Sequence, residues 1–415
     1  MIILAYIVIS ALTPLTLLYA VAGINISPKS WRKYMPWLIL ALGMIAYGMQ
    51  SKVEIDLDRY FQMADEIGRL PFLQIFNYEG NRGTYSGMWV MQIIFWIAGR
   101  LQIVHILPFT TACIVYGITF YITCDVAEQY EACNIIPRIM AIQMSILPFF
   151  SIISNIRNVT AFALVILAVY LDTVKKKRNL IVLMLYVFPI FVHSAAIILL
   201  LLRIGLKFGT KAKVLWFSLV CILPIIIDTL YTYIDFFAFG GSFNAVIKTS
   251  ILKGYWYLHD KDETAWARQV ASSKYQLFNR TVMAAFAVVM IILICLGISR
   301  IAKDKYHLFI TYEFLLSIVT LSCSWFTAPH YWRFTVASVI AAGAILVPLF
   351  SSSESLEKPW LFLLRKCLVL IAIIGIPLQL WPMQHSVDFQ GWFENVLLNN
   401  IYVVIIQIIK GLFLA

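Results

Sequence analysis

Charged side chains are scarce in this chain of 415 residues, where Asp, Glu, Lys and Arg make up 13% of the sequence and hydrophobic residues 61%. Soluble domains carry about 25% charged residues, and the mean hydropathy here is +0.85. This shortage excludes a water-soluble fold and predicts an all-α, polytopic integral membrane protein. Because one crossing takes about 20 apolar residues, we expect about 12 to 14 transmembrane helices. They should form a single integral domain over 1–415.

Paired cysteines and nucleotide-binding loops are also missing. The seven cysteines are scattered without paired spacing or a histidine partner, which excludes a disulfide framework and a zinc site. No Walker A or dinucleotide-type glycine loop occurs, so we expect neither a metal nor a nucleotide cofactor. We attribute the net charge of +11 to basic loops on the cytoplasmic side of a membrane, not to nucleic-acid binding.

The basic residues form clusters that predict which loops are cytoplasmic. The clusters are Lys29, Arg32 and Lys33; 175–178; Arg203, Lys207, Lys211 and Lys213; Arg300, Lys303 and Lys305; and Lys358, Arg365 and Lys366. Outer loops are then predicted over about 51–102 and 231–279. Helices are predicted at 2–23, 36–50, 103–123, 136–153, 158–174, 180–192, 194–207, 214–231, 280–299, 307–328, 332–350, 360–380 and 398–414. The first of these lacks a basic leader and is interpreted as a helix, not a cleaved signal.

Two segments interrupt the regular alternation of crossings. If 85–101 crossed the membrane, one basic cluster would fall outside, so we interpret this segment as a re-entrant or interfacial helix. Arg178 and Arg203 should share one side, yet only about 24 residues separate them, too few for two full crossings. This predicts two half-crossings with His193 and Ser194 at their apex. Non-helical backbone at membrane depth must line protein or a water-filled cavity, so we expect His193 at the floor of an outward-facing cavity.

Cationic or titratable residues interrupt apolar sequence at Arg157, His193, His330 and Arg333. An arginine at mid-bilayer costs roughly 2.5–3.5 kcal/mol on translocon scales, so such residues usually face a polar cavity. Under the predicted topology, they meet the carboxylates of the first outer loop on one side of the membrane. Arginine forks bind phosphate, and carboxylates or histidines can take a proton from an attacking hydroxyl. This mixture suits a lipid-linked diphosphate presented at the outer face.

Four short motifs follow one another between about residues 35 and 210. They are Asp56, Asp58 and Tyr60 in the first outer loop; Glu79 further along it; Ile156, Arg157 and Asn158; and His193, Ser194 and Ala195. In their order along the chain and in their predicted position on one side of the membrane, these motifs resemble those of the Wzy- and EpsG-type bacterial polysaccharide polymerases. The chain departs from the arginine–glutamine pair of that family by carrying Asn158.

The resemblance implies a GT-C-like glycosyltransferase that needs no cofactor. It would join polyprenyl-diphosphate-linked oligosaccharide repeat units at the outer face of the cytoplasmic membrane and release polyprenyl diphosphate. Implied substrate ligands are Arg157 and Arg333, with Arg82, Arg280, Tyr60 and Asn158. Candidate bases are His193, Asp58, Glu79 and His330, with His193 first because it lies at the forced break. Implied partners are the lipid-linked donor and acceptor, membrane lipid and a separate chain-length regulator.

Two other functions fit the same residues. A GT-C transferase that uses a polyprenyl monophosphate sugar would bind a divalent cation through Glu54, Asp56 and Asp58. A transporter such as a flippase for lipid-linked units would also have broken helices and a basic cavity. However, no internal repeat relates the two halves of the sequence, and the polar residues gather on one predicted side.

Simpler interpretations exist for individual residues. Arg157 could extend its charge to the lipid headgroups, and His193 could be a hydrogen-bonded residue between helices. His105 is interpreted as structural or solvated. Asp125, with Glu128 and Glu131, is predicted to be solvated on the cytoplasmic side.

Overall fold

The structure, a computed structural model, describes residues 12–52, 56–78, 87–206, 223–234, 274–326, 331–352, 358–398 and 400–414, with isolated positions between 244 and 255. These residues are almost entirely helical, which confirms the predicted all-α class. In the first half the helices are α1 (Thr13–Ile26), α2 (Trp31–Tyr47), α3 (Asp56–Gly68), α4 (Trp89–Arg100), α5 (Ile106–Gln129), α6 (Ile136–Ile146), α7 (Phe149–Ser154), α8 (Ile156–Thr173), α9 (Leu180–Val192) and α10 (Ala196–Gly205). In the second half they are α11 (Leu223–Thr232), α12 (Lys274–Cys295), α13 (Ile298–Ile301), α14 (His307–Phe326), α15 (Tyr331–Ala341), α16 (Gly343–Ser351), α17 (Pro359–Ser386), α18 (Phe389–Leu398) and α19 (Ile401–Leu414).

Several of these helices are long and apolar enough to cross a membrane. Among the described residues, four segments meet this criterion, or up to six if each bent pair of helices is one span. The four are Ile106–Gln129, Ile156–Thr173, Phe278–Cys295 and Pro359–Trp381. The protein is thus a multi-pass membrane protein. The count covers the described residues only, and the predicted 12 to 14 also included short and broken segments that do not meet the criterion individually.

Two long helices, α5 and α8, form the centre of the bundle. Both are buried on most sides, and α5 packs against α2, α8, α15 and α16. At the periphery, α17 exposes large apolar side chains such as Leu363, Leu370 and Ile373. In a membrane protein, a helix with an apolar exposed face lies against lipid hydrocarbon.

One end of the bundle collects the basic clusters, and we call it the basic end. Its contacts are Arg32 with Glu128 (2.6 Å), Lys175 with Asp125 (2.6 Å), Lys305 with Gln129 (2.7 Å) and Arg203 with Asp172 (3.0 Å). All four partners lie in the last turns of α5 and α8. The clusters around these four cations therefore share one end of the protein, as the sequence predicted.

Asp125 corrects one sequence prediction. It was expected to be solvated, but it is buried. Its two oxygens contact the Lys175 ammonium at 2.6 Å and the Tyr170 hydroxyl at 2.5 Å. A buried carboxylate requires such partners, since desolvation of an unpaired charge costs several kcal/mol. Glu128 is half exposed and pairs with Arg32 at the surface.

The predicted outer loop 51–102 is largely helical where the structure describes it. It contains α3 and α4, which pack so closely that a Cβ added to Gly99 would lie 1.8 Å from the carbonyl oxygen of Ala64. The twelve residues of α4 extend about 18 Å at 1.5 Å per residue, too short to cross a membrane. This length agrees with the re-entrant or interfacial interpretation of 85–101.

Two other predicted helices are interrupted, and two predicted segments lie partly outside the described residues. The segment 136–153 is split into α6 and α7 at Pro148, which cannot continue the backbone hydrogen bonds of α6. The segment 332–350 bends by 47° between α15 and α16. Half of the predicted helix 214–231 and most of the predicted outer loop 231–279 lie outside the described ranges.

The predicted helical hairpin around His193 is present as two short helices, α9 and α10. These helices contain 13 and 10 residues and meet at His193, Ser194 and Ala195. At their other ends, Arg178 and Arg203 both contact Asp172. The two basic clusters therefore share one end of the bundle, and His193 lies at the apex of the hairpin.

Candidate functional site

Arg157 lies in the first turn of α8, and Asp172 lies in the last turn at the basic end. The fifteen helical steps from one to the other place Arg157 about 22 Å from that end along the helix. Its guanidinium carbon is 5.4 Å from the centroid of the Tyr60 ring, and its Nη1 is 3.5 Å from the sulfur of Met88. The predicted helix 158–174 thus begins two residues earlier, so that Arg157 is held within it.

The sequence of α3 explains why Tyr60 faces the bundle. Leu57, Tyr60, Ala64 and Ile67 are buried at helical spacing, while most of the positions between them carry charged or polar side chains. The Tyr60 ring also packs against Phe95 of α4, with 5.9 Å between the ring centroids. The α3–α4 pair therefore positions an aromatic ring under the guanidinium of α8.

Asp58 lies on a different face of α3 from Tyr60, because residues two positions apart on a helix do not face each other. Both of its carboxylate oxygens accept hydrogen bonds from the Ser51 hydroxyl, at 2.7 and 2.8 Å. Its position in the first turn of α3 favours the negative charge through the helix dipole. Ser51 thus holds the carboxylate of Asp58 on α3, and the predicted joint role of Asp58 and Arg157 stays a prediction.

His193 is buried at the end of α9, with 6% of its surface exposed. Its Nδ1 accepts a hydrogen bond from the backbone N–H of Ala195 at 3.1 Å. A neutral imidazole has one donor and one acceptor nitrogen, so Nε2 carries the proton. In this arrangement His193 is a hydrogen-bond donor, which argues against its predicted role as a general base.

Phe162 lies close to the three places where polar residues interrupt the apolar sequence, at Arg157, His193 and Arg333. It lies five residues after Arg157 on α8, and its ring centroid is 6.4 Å from the His193 ring and 5.3 Å from the ring of Phe334. Phe334 directly follows Arg333 in α15. The start of α8, the apex of the α9–α10 hairpin and the start of α15 therefore meet around one aromatic ring.

Arg333 and Arg280 also lie away from the basic end. Arg333 is half-buried in the first turn of α15, and Arg280 is half-buried in the second turn of α12. The helices α12 and α15 pack against each other and against α14. With Arg157, three arginines lie near the starts of helices that run toward the basic end.

Buried polar atoms surround the break between α7 and α8. Ser154 and Asn158 are 4% and 3% exposed. Within the described ranges, neither the Ser154 hydroxyl nor the Asn158 Oδ1 has a hydrogen-bond partner. Native proteins satisfy most buried polar atoms with protein or water. These two atoms give the start of α8 unused hydrogen-bonding capacity beside Arg157.

Three predicted site residues, Glu79, Arg82 and His330, lie outside the described residues. The structure also adds residues that the sequence analysis missed. Met88 contacts Arg157, and Glu313 is fully buried in α14. A carboxylate within an apolar segment is itself a functional signal, and it would have identified Glu313. Among the described residues, no group of three or more His, Cys, Asp or Glu side chains is placed to hold a metal ion.

In comparisons with known proteins, the chain matches no protein-family profile, no curated protein and no solved structure. The functional interpretation therefore depends on the site itself.

Proposed function

We propose that this protein is a membrane glycosyltransferase that polymerises polyprenyl-diphosphate-linked oligosaccharide repeat units. The reaction would take place at the outer face of the cytoplasmic membrane, at the end of the bundle opposite the basic end. The observation that carries the proposal is the position of Arg157, in the first turn of α8 on the ring of Tyr60. By the positive-inside rule, arginines accumulate on the cytoplasmic side, so an arginine at the other end is a candidate for binding an anionic substrate.

The arginines suit a diphosphate leaving group. A guanidinium stays charged in an apolar setting and binds phosphate oxygens through paired N–H donors. Arg157 would hold the diphosphate, and Arg333 and Arg280 would add positive charge from α15 and α12. Removing one donor that stabilises developing charge typically lowers kcat by about 10²–10³-fold.

The proposed reaction is a displacement at the anomeric carbon of the donor. A hydroxyl oxygen of the acceptor unit forms the new bond to this carbon, while the bond between the carbon and the diphosphate oxygen breaks. The leaving diphosphate takes the electron pair, and the arginines stabilise its negative charge. The hydroxyl proton passes to a base, for which Asp58, Glu79 and His330 are the candidates. His193 would donate a hydrogen bond from Nε2 to a substrate oxygen.

The test uses purified full-length protein in detergent with lipid-linked repeat units as both donor and acceptor. We expect a ladder of products that differ by whole repeat units, together with released polyprenyl diphosphate. Arg157→Ala should lower the rate by about 10²-fold or more. Arg32→Ala is the matched control, because Arg32 is an exposed arginine at the basic end and pairs with Glu128.

Three outcomes would overturn the proposal. Elongation by single sugars with a requirement for a divalent cation would indicate a polyprenyl monophosphate-dependent transferase. Movement of intact lipid-linked units across proteoliposome membranes without elongation would indicate a transporter. A full product ladder from Arg157→Ala would show that the site assignment is wrong.

A further inference from the structure

A cavity of about 660 Å³ opens at the basic end. The end of α8, the start of α9 and the end of α10 surround it, and its lining includes Asp172, Lys177, Arg178, Leu180, Leu183 and Arg203. It lies at the other end of α8 from Arg157. The proposed polymerase reaction does not use it.

The cavity contains three cationic side chains and one carboxylate, Asp172. The Arg203 Nε donates to the Asp172 Oδ2 at 3.0 Å, and the Tyr186 hydroxyl donates to the same oxygen at 3.3 Å. The side chains of Arg203 and Asp172 are 11% and 13% exposed, so this pair is fixed in the wall. Arg178 is 3.7 Å from the other Asp172 oxygen, with its side chain 81% exposed. Because one carboxylate balances only one cation, the cavity keeps positive charge and suits an anion with several acceptor oxygens.

The same cavity has an apolar wall that continues onto the surface of the bundle. Leu180 and Leu183 line it and are 63% and 57% exposed. Ile181, Met184 and Val187 extend this exposed apolar surface along α9. Basic residues at helix ends alone would reflect only the positive-inside rule. A cationic cavity joined to an exposed apolar helix face is instead suited to a molecule with a phosphate head and a hydrocarbon tail.

We propose that this cavity binds the phosphate headgroup of an anionic membrane lipid, with the tail along the exposed face of α9. Basic pockets between transmembrane helices bind anionic headgroups in this way. The thirteen residues of α9 connect the cavity to His193. A bound lipid would therefore stabilise the base of the hairpin whose apex contributes to the candidate site. The binding itself does not depend on the proposed polymerase function.

Native mass spectrometry of the purified full-length protein tests this proposal. The probe is phosphatidylglycerol, with phosphatidylcholine and inorganic phosphate as separate comparisons at equal concentration. We expect the wild-type protein to retain phosphatidylglycerol in preference to phosphatidylcholine. The double variant Lys177→Gln and Arg178→Gln should weaken this binding about fivefold for each charge removed. The matched control is Lys303→Gln with Lys305→Gln, because these lysines lie at the basic end but not in the cavity.

Each comparison can overturn the proposal. If the Lys177 and Arg178 variant retains phosphatidylglycerol as well as the wild type, the cavity is not the binding site. Equal retention of phosphatidylcholine would show that an anionic headgroup is not recognised. Displacement by inorganic phosphate at equal concentration would assign the cavity to a soluble anion instead of a lipid. Because Lys177 and Arg178 are exposed, the variant is expected to fold, and its melting temperature in detergent checks this.

Discussion

The guanidinium carbon of Arg157 is 5.4 Å from the centroid of the Tyr60 ring. The two residues are almost a hundred positions apart in the sequence, and the packing of α3 against the bundle brings them together. A cation over an aromatic face is attracted by the ring quadrupole. This contact helps to hold the arginine in place.

The first prediction concerns the ring of Tyr60. Tyr60→Phe should keep the activity in the product-ladder assay within about twofold, because the aromatic face remains. Tyr60→Leu should lower it by about two- to thirtyfold, since cation–π contacts contribute about 0.5–2 kcal/mol. Tyr34→Leu is the control, because Lys33 lies 5.3 Å from the Tyr34 ring at the basic end. Equal losses in Tyr60→Phe and Tyr60→Leu would instead point to a role of the hydroxyl.

The second prediction separates hydrogen-bond donation by His193 from general-base catalysis. The amide nitrogen of a glutamine can replace the Nε2–H donor but cannot accept a proton at neutral pH. His193→Gln should therefore retain about tenfold more activity than His193→Ala, the value of one hydrogen bond to a charged group. Product-ladder rates at neutral pH measure this difference. If both variants are equally inactive while folded, His193 acts as the base.

The α9–α10 hairpin around His193 follows from the sequence, because two basic clusters too close for two full crossings must share one side. The position of Arg157 at the other end of α8 also follows from the sequence, because a helix separates it from the basic cluster at 175–178. The Arg157–Tyr60 contact does not, since it requires the pairing of α3 with distant helices. The burial of Asp125 does not follow either, because its position in the sequence does not reveal that Lys175 and Tyr170 fold against it.

A third prediction concerns the Asp125–Lys175 pair at the basic end. The side chains are 7% and 25% exposed, and the ammonium lies 2.6 Å from the carboxylate. Lys175→Met leaves a buried charge unpaired and should destabilise the protein by about 3 kcal/mol. The Arg32–Glu128 pair has the same 2.6 Å separation, but its side chains are 69% and 40% exposed. Glu128→Gln should therefore cost at most about 1 kcal/mol.

Thermal unfolding in detergent measures the loss of stability in each of these variants. The double variant Asp125→Asn with Lys175→Met should recover most of the stability, because neither charge then remains. A similar loss in Lys175→Met and Glu128→Gln would show that burial of the Asp125 pair is not important.

The fourth prediction is a pH dependence that arises from His105. The ring lies between Phe61 and Tyr47, with centroid distances of 4.7 and 5.6 Å. Burial lowers the pKa of His105 below its ordinary value of 6.5, although a hydrogen bond that the ring donates to the Tyr47 backbone and the charge of Asp58 oppose the shift. The unfolded chain therefore takes up a proton at a higher pH than the folded protein does. The contribution of His105 to the stability of the folded protein is therefore complete above pH 6.5 and decreases as the pH falls below this value.

Melting temperatures between pH 7.5 and 5 provide the measurement for His105. Other groups titrate in this range, so the informative quantity is the difference between the wild type and His105→Gln. The wild type should lose more stability on acidification than the variant does. Parallel curves would contradict the prediction.

The last prediction concerns Glu313, which is fully buried in α14. Its Oε1 accepts hydrogen bonds from the Ser338 and Ser317 hydroxyls, and within the described ranges no cation lies at ion-pair distance from either oxygen. An unpaired charge in such a setting is very costly, so we expect the carboxyl to be neutral. A carboxamide has nearly the same shape as a neutral carboxyl and likewise carries both a carbonyl acceptor and a hydrogen-bond donor.

Glu313→Gln should therefore leave the melting temperature nearly unchanged, whereas Glu313→Ala should destabilise the protein by about 2–4 kcal/mol, through the cavity and the lost hydrogen bonds. A hydrophobic carbodiimide, which reacts with protonated carboxyls, should modify the wild type at this position but not Glu313→Gln. If Glu313→Gln is as unstable as Glu313→Ala and no modification occurs, then Glu313 is an anion with a cationic partner. That outcome would make α14 part of an ion-binding path, because a buried charge within the membrane persists only where it is paired or hydrated.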